Sequence, residues 1–194
     1  MPQMALVIID MLNDFVKGTL KNERSERIVP TIRELIETAR KRGIPVIYSN
    51  DAHLPELDKE FDIWGSHAVA GTKGAQVIDE LKPKKGDYIV PKRRYSSFFE
   101  TDLDLTLREM EVSVLIITGQ HTNCCVKHTT ADAFFRGYKT IIPQDAVEAL
   151  SEEEHRWGLE YLKRFYKADI STTRKVTSEM KAASFTEANP APKK

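Results

Sequence analysis

Five short Val- and Ile-rich runs, at 5–10, 44–51, 87–92, 112–119 and 139–145, recur along the chain, with longer stretches of helical periodicity between them. The runs are nearly continuous in apolar residues rather than alternating. That pattern predicts strands buried on both faces, as in a parallel sheet covered by helices on either side. A sixth, weaker run lies at 169–173. Within 25–42, Ile28, Ile32, Leu35, Ile36 and Ala39 share one helical face. Pro30 falls near the start of that segment, where it is tolerated, and Gly43 follows as a stop. Segments 72–81, 101–110 and 123–136 read as helices too, the last closed by Gly137. The segment 151–166 opens with Ser151 and Glu154 at capping-box spacing. Strand, helix, strand repeated in this way predicts the α/β class: a three-layer α/β/α, Rossmann-like fold with a central, mostly parallel sheet and right-handed crossovers.

A chain of 194 residues has room for one such core. The expected domain covers 1–176, and 177–194, which loses periodicity and ends in Asn-Pro-Ala-Pro-Lys-Lys, reads as a flexible tail. Lys plus Arg and Asp plus Glu are 29 each, so the basic excess of a nucleic-acid or anionic-membrane binder is missing. No apolar run approaches the ~18 residues of a membrane span. The two cysteines, Cys124 and Cys125, are adjacent and form a poor disulfide, which suits a reducing compartment. With no signal-peptide pattern in the first residues, a cytoplasmic protein is the expectation.

Open parallel sheets bind ligands beyond the carboxyl ends of their strands. The predicted strand ends carry Asp10; Asp51 and His53; Lys92; Gly119, Thr122, Cys124 and Cys125; and Asp145. Asp145 reads more simply as a turn or cap residue. Cys125, near the start of a predicted helix, is the candidate nucleophile, since unpaired N–H groups there favour a thiolate. Cys124 reads as packing, pointing elsewhere. A thiol attacking a carbonyl needs a proton acceptor and an oxyanion hole. Either Asp10 or His128 could be the acceptor, and Lys92 could stand between Asp10 and Cys125 to neutralise both.

The segment Gly119–Val126, G-Q-H-T-N-C-C-V, resembles the G-x-x-T-x-x-C-V signature of isochorismatase-like cysteine hydrolases, which include nicotinamidases and N-carbamoylsarcosine amidases. The opening ALVIID-MLNDF and Lys92 in IVPKRRYSSF are similar to further parts of that family, and the likeness runs over about 4–175. The resemblance implies an isochorismatase-like fold and a triad of Asp10, Lys92 and Cys125, leaving His128 no chemical role. It also implies a cis peptide at Gln120–His121, with the N–H groups of His121 and Cys125 as oxyanion hole. Phe15 and Trp64 match the aromatic positions that sandwich a ring, and Thr122 is a further expected substrate contact.

In nicotinamidases a similar aspartate and three histidines hold a divalent metal; Asp51, His53 and His67 match three of the four. Lys59, between Asp58 and Glu60, stands where the fourth is expected. Two histidines and a carboxylate still suit zinc, and admit iron or manganese. Glu56 and Asp58 are candidate replacements. The missing histidine points toward the carbamoyl-amidase branch, where Arg93 and Arg94 would read a substrate carboxylate. The implied activity is hydrolysis of a small-molecule amide, an N-carbamoyl amino acid or nicotinamide, through a thioester with release of ammonia. No organic cofactor, nucleic acid or membrane is expected, and a homo-oligomer, dimer or tetramer, is. The alternatives are an isochorismatase-type vinyl ether hydrolase, which does not obviously need a cysteine, and a non-catalytic binding protein.

Overall fold

The computed structural model describes residues 3–182. Seven strands form one sheet: β1 (Gln3–Ile9), β2 (Val46–Asp51), β3 (Tyr88–Lys92), β4 (Val112–Gln120), β5 (Lys139–Pro143), β6 (Val147–Glu148) and β7 (Asp169–Ser171). The order is β3-β2-β1-β4-β5-β7, every pairing is parallel, and β6 adds to the far end of β4. The helices are α1 (Asn13–Val16), α2 (Val29–Lys41), α3 (Phe61–Trp64), α4 (Leu103–Glu109), α5 (Cys125–Phe135), α6 (Glu152–Tyr166) and α7 (Thr173–Ala182).

Alternate residues of a strand face opposite sides of its sheet. In β1, Leu6 and Ile8 pack under α2 and α7, against Ile32, Leu35, Val176 and Met180. Ala5, Val7 and Ile9 pack on the opposite side, with Leu103, Leu107, Val126 and Leu162 of α4, α5 and α6. Both sides are apolar, hence the unbroken hydrophobic runs. Each buried aliphatic side chain contributes about 1.5–3 kcal/mol relative to exposure. β3 departs from this expectation: it is an edge strand, and Tyr88 and Ile89 are 48% and 59% exposed.

Two further expectations change. Segment 72–81 is helical only at 79–81, as a 3-10 turn. Its carbonyls are claimed from outside: Asn13 Nδ2 donates to the carbonyls of Lys73 and Gln76, and the Asp14 N–H to that of Gly74. At the other end, α7 continues through Ala182 with Val176, Thr177 and Met180 buried, so a tail cannot begin at 177. Residues 183–194 lie outside the described residues.

Ser151 caps α6 as its spacing predicts, accepting from the Glu154 N–H at 3.2 Å while its hydroxyl donates to Glu154 Oε2. Ser151→Ala should cost about 1 kcal/mol, read as a Tm lower by about 2–4 °C. An unchanged Tm would show that the cap carries no net stability.

Candidate active site

The carboxyl ends of β1, β2, β3 and β4 converge on one cavity of about 330 Å³, with Asp10, Asp51, His121 and Cys125 among its lining residues. Gly119 permits the convergence. Its φ of +102° disfavours any side chain, and a Cβ there would lie 2.0 Å from the Ile9 carbonyl oxygen. Asp10 follows Ile9 with φ 53°, a left-handed turn that Asp tolerates better than most residues. Its N–H donates to the Ser49 carbonyl, and Oδ1 accepts from the Asp51 N–H at 2.8 Å.

Lys92 is buried behind the cavity. Its ammonium lies 2.8 Å from Asp10 Oδ2 and 3.8 Å from Cys125 Sγ, and it also pairs with Asp51 Oδ1. One atom each of Asp10, Asp51 and Cys125 falls within 4.8 Å of the others. The three residues named from the sequence thus stand together. His128 does not join them: it is exposed, and its Nδ1 meets the Cys124 carbonyl at 2.8 Å.

Burial, and then the charge of Asp51, raise Asp10 to about 7 against the opposing pull of Lys92. Burial also pushes Asp51 up, but Lys92 and His53 outweigh it and hold that carboxyl low. Lys92 is itself held charged, far above its ordinary value: burial opposes this, and the facing carboxylates Asp10 and Asp51 prevail. The Cys125 thiol is pushed up, first by its hydrogen bond to Cys124 and then by burial. Cys125 therefore rests as a thiol beside the Asp10 carboxyl, not as the preformed thiolate that its place at a helix start suggested. Cys124 lines the same cavity, contrary to the expectation that it points elsewhere.

The bond Gln120–His121 is cis, as implied. Cys125 opens α5, so its N–H has no acceptor within its own helix. Phe15 and Trp64 both line the cavity; Trp64 is 39% exposed and donates through Nε1 to the Tyr95 hydroxyl at 3.0 Å. Thr122 does not line it. That residue is fully buried, its Oγ1 is 2.9 Å from His155 Nδ1, and its N–H donates to the Glu148 carbonyl. Its bonds hold the loop in place from behind the cavity wall. Asp145 is a cap: its Oδ1 accepts from both the N–H and the hydroxyl of Thr173 at the start of α7. Tyr95, Leu20 and Leu150 also line the cavity; they sit in irregular segments and carry no periodic signal in the sequence.

Asp51, His53 and His67 place one ligand atom each within 4.8 Å of one another. His67 Nδ1 is bonded to the Gly65 carbonyl at 2.7 Å, which leaves Nε2 as the free ring nitrogen. His53 Nδ1 lies 3.3 Å from Asp58 Oδ2, while its Nε2 is buried without a partner. Glu60 is buried too; its Oε2 is 3.7 Å from His53 Nε2, and its Oε1 is unpartnered. Burial and the charge of Asp51 raise the Glu60 carboxyl. One acid and two oriented imidazoles around one point, with the orphaned His53 Nε2 among them and the Glu60 carboxyl 3.7 Å from that nitrogen, fit a divalent cation.

Lys59 occupies the position expected for the fourth histidine, and it is its neighbour Glu60 that approaches His53 Nε2, while the two replacements named from the sequence do not. Glu56 is exposed, and Asp58 is the outer partner that orients His53. Asp58 is held by Arg93 Nε at 2.9 and 3.0 Å to its two oxygens, and this contact drives its carboxyl far below the usual range. Arg93 is therefore committed. Arg94 donates to the Arg93 carbonyl and lies 3.6 Å from Asp58. Neither arginine lines the cavity, which removes the expected carboxylate reader.

The Isochorismatase domain matches residues 4–175. The crystal structure of N-carbamoylsarcosine amidase from Thermoplasma acidophilum superposes with a TM-score of 0.83 at 39% identity, over 88% of this chain and 96% of that one. Nicotinamidase PncA from Bacillus subtilis gives a TM-score of 0.83 at 32% identity, over 87% and 99%. Ureidoacrylate amidohydrolase RutB of Pantoea ananatis is 29% identical over 178 residues, 78% of this chain and 71% of that one. Among the described residues, no helix is long and apolar enough to cross a membrane.

Proposed function

The chain belongs to the isochorismatase family of hydrolases, with amidases among its relatives, and we propose that it is a cysteine amidohydrolase acting on a small primary amide through a thioester. The observation that carries this reading is the contact of Lys92 with both Asp10 and Cys125 at the cavity floor. Asp10 takes the proton of the Cys125 thiol, and Sγ attacks the amide carbonyl carbon. The carbonyl π pair moves to oxygen, and the oxyanion is held by the N–H groups of His121 and Cys125. The C–N bond then breaks, Asp10 returns the proton to nitrogen, and ammonia leaves an acyl thioester. Water attacks the thioester and gives a proton to Asp10. Collapse expels the sulfur, which Asp10 reprotonates, and a carboxylic acid is released. Lys92 stays protonated throughout, offsetting negative charge as it moves between Asp10 and Cys125.

Asp51, His53, Glu60 and His67 would hold one divalent ion, zinc by its donor set. Such an ion supplies Lewis-acid charge beside the cavity. One equivalent of Zn²⁺ per chain should bind, and Glu60→Gln should weaken binding at least about tenfold, measured by competition with a chromogenic chelator. Equal affinity in the two proteins would take Glu60 out of the ligand set.

Phe15, Leu20, Trp64, Tyr95 and Leu150 make the cavity walls largely apolar and aromatic. With Arg93 tied to Asp58, these walls favour a flat, uncharged amide over a carboxylate-bearing carbamoyl amino acid. An ammonia-release panel of nicotinamide, pyrazinamide and N-carbamoyl amino acids tests this choice. The ring amides should exceed the carbamoyl amino acids at least about tenfold in kcat/KM. The reverse order would overturn the substrate class, and no ammonia from any of them would overturn the amidase reading.

A further inference from the structure

Gln120 ends β4 in a position where its strand neighbours Ile116 and Ile117 are aliphatic and fully buried. It is itself 1% exposed, yet it carries an amide. Burying an amide costs free energy unless its hydrogen bonds are made. Here both ends are used. Nε2 donates to the main-chain carbonyl of Asp10 at 3.0 Å, and Oε1 accepts from the hydroxyl of Ser25, a residue with no exposed surface. The Asp10 carbonyl can only accept, so the amide must turn Nε2 toward it, and the Ser25 hydroxyl then donates to Oε1 and holds that orientation.

The Asp10 carbonyl is an unusual thing to hold. Asp10 is in the left-handed region, where the direction of its peptide groups sets the aim of its side chain. On the β2 side it is pinned by the Ser49 carbonyl and the Asp51 N–H. The Gln120 amide is its tie on the β4 side. The next residue, His121, bears one of the two oxyanion N–H groups, so one side chain links the frame of the base to the frame of the hole. A misplacement of about 1 Å in such an arrangement can cost about a hundredfold in rate.

We propose that Gln120 is a positioning residue, locked by Ser25, that aims the Asp10 carboxylate at the Cys125 thiol. The proposal rests on Asp10 acting as the base. Gln120 reaches the cavity wall, but its amide is spent on the Asp10 carbonyl and the Ser25 hydroxyl, so its effect on the thiol runs through Asp10. A readout that needs no substrate is the rate of Cys125 alkylation by iodoacetamide in the intact chain, which depends on removal of the thiol proton. Asp10→Asn sets the full loss. Gln120→Leu should slow alkylation about tenfold in the native background and less than about twofold in the Asp10→Asn background, because coupled residues are not additive. Ser25→Ala, a gentler change, should slow it about two- to threefold and likewise lose its effect when Asp10 is asparagine; it decides the matter if Gln120→Leu does not fold. Equal slowing in both backgrounds, or no slowing in the native one, would overturn the positioning role. Alkylation untouched by Asp10→Asn would overturn the base reading as well.

Discussion

Replacing Cys125 by alanine should lower kcat for the amide that the ammonia-release panel selects by at least about a hundredfold, with the fold retained. Cys125 is buried at the cavity floor, and its Sγ is 3.8 Å from Lys92 Nζ. Alanine removes one sulfur from a polar corner and leaves the apolar packing of Val126 and Ala133 in place. Stability should therefore move little while the covalent route is lost. Asp10→Asn should produce a loss of similar size, since it keeps the shape and removes the base. Cys124→Ala is the control: that thiol lines the cavity and hydrogen-bonds the Cys125 thiol, but the Lys92 ammonium bonds Cys125 instead, and the replacement should be mild. Near-normal turnover in Cys125→Ala would overturn the covalent route.

Replacing Lys92 by methionine should cost about 3–5 kcal/mol at pH 7–8. Methionine fills most of the volume, so the cost is electrostatic: the buried carboxylates of Asp10 and Asp51 lose the ammonium between them. The pH dependence has a definite sign. In the native protein Asp51 is held low, a stabilisation present above the unfolded carboxylate range and lost as pH falls. Without Lys92, burial raises both carboxyls above their unfolded values, so the folded variant binds more protons than the unfolded chain near neutrality. Its stability should then fall as pH rises, and the deficit should be smaller at pH 5.5 than at pH 8. Urea unfolding with chelator present measures this. A loss below about 1 kcal/mol, or a deficit that grows on acidification, would contradict it.

The parts of this fold that are legible in the sequence are those with one physical cause. β1, β2 and β4 are buried on two faces, which produces short Val- and Ile-rich runs without alternation. Segment 72–81 misleads because its apolar spacing is real but its carbonyls are taken by Asn13 and Asp14, residues some sixty positions away. β6 has two residues, which pair with Gly119 and Gln120 beyond the last β4–β5 pair at Ile116, and two residues are too few to carry a pattern. In the site, Asp10, Lys92 and Cys125 are readable because strand ends of a parallel sheet meet. Glu60 is not, since it reaches the His53 imidazole from a loop whose path no local pattern dictates. The same holds for Thr122, which points inward because Gly158 of α6 lets that helix approach: a Cβ there would lie 2.9 Å from Thr122 Cγ2. Gly158 and Thr122 are both visible in the sequence, but their contact is not.

The most direct test is to look for the acyl group on sulfur. Protein quenched in acid during turnover of the selected amide, digested and weighed by mass spectrometry, should carry the substrate's acyl group on the peptide containing Cys125, and Asp10→Asn should diminish it. Product formation without any acyl mass on that peptide, together with full turnover by protein whose Cys125 has been alkylated, would contradict the account.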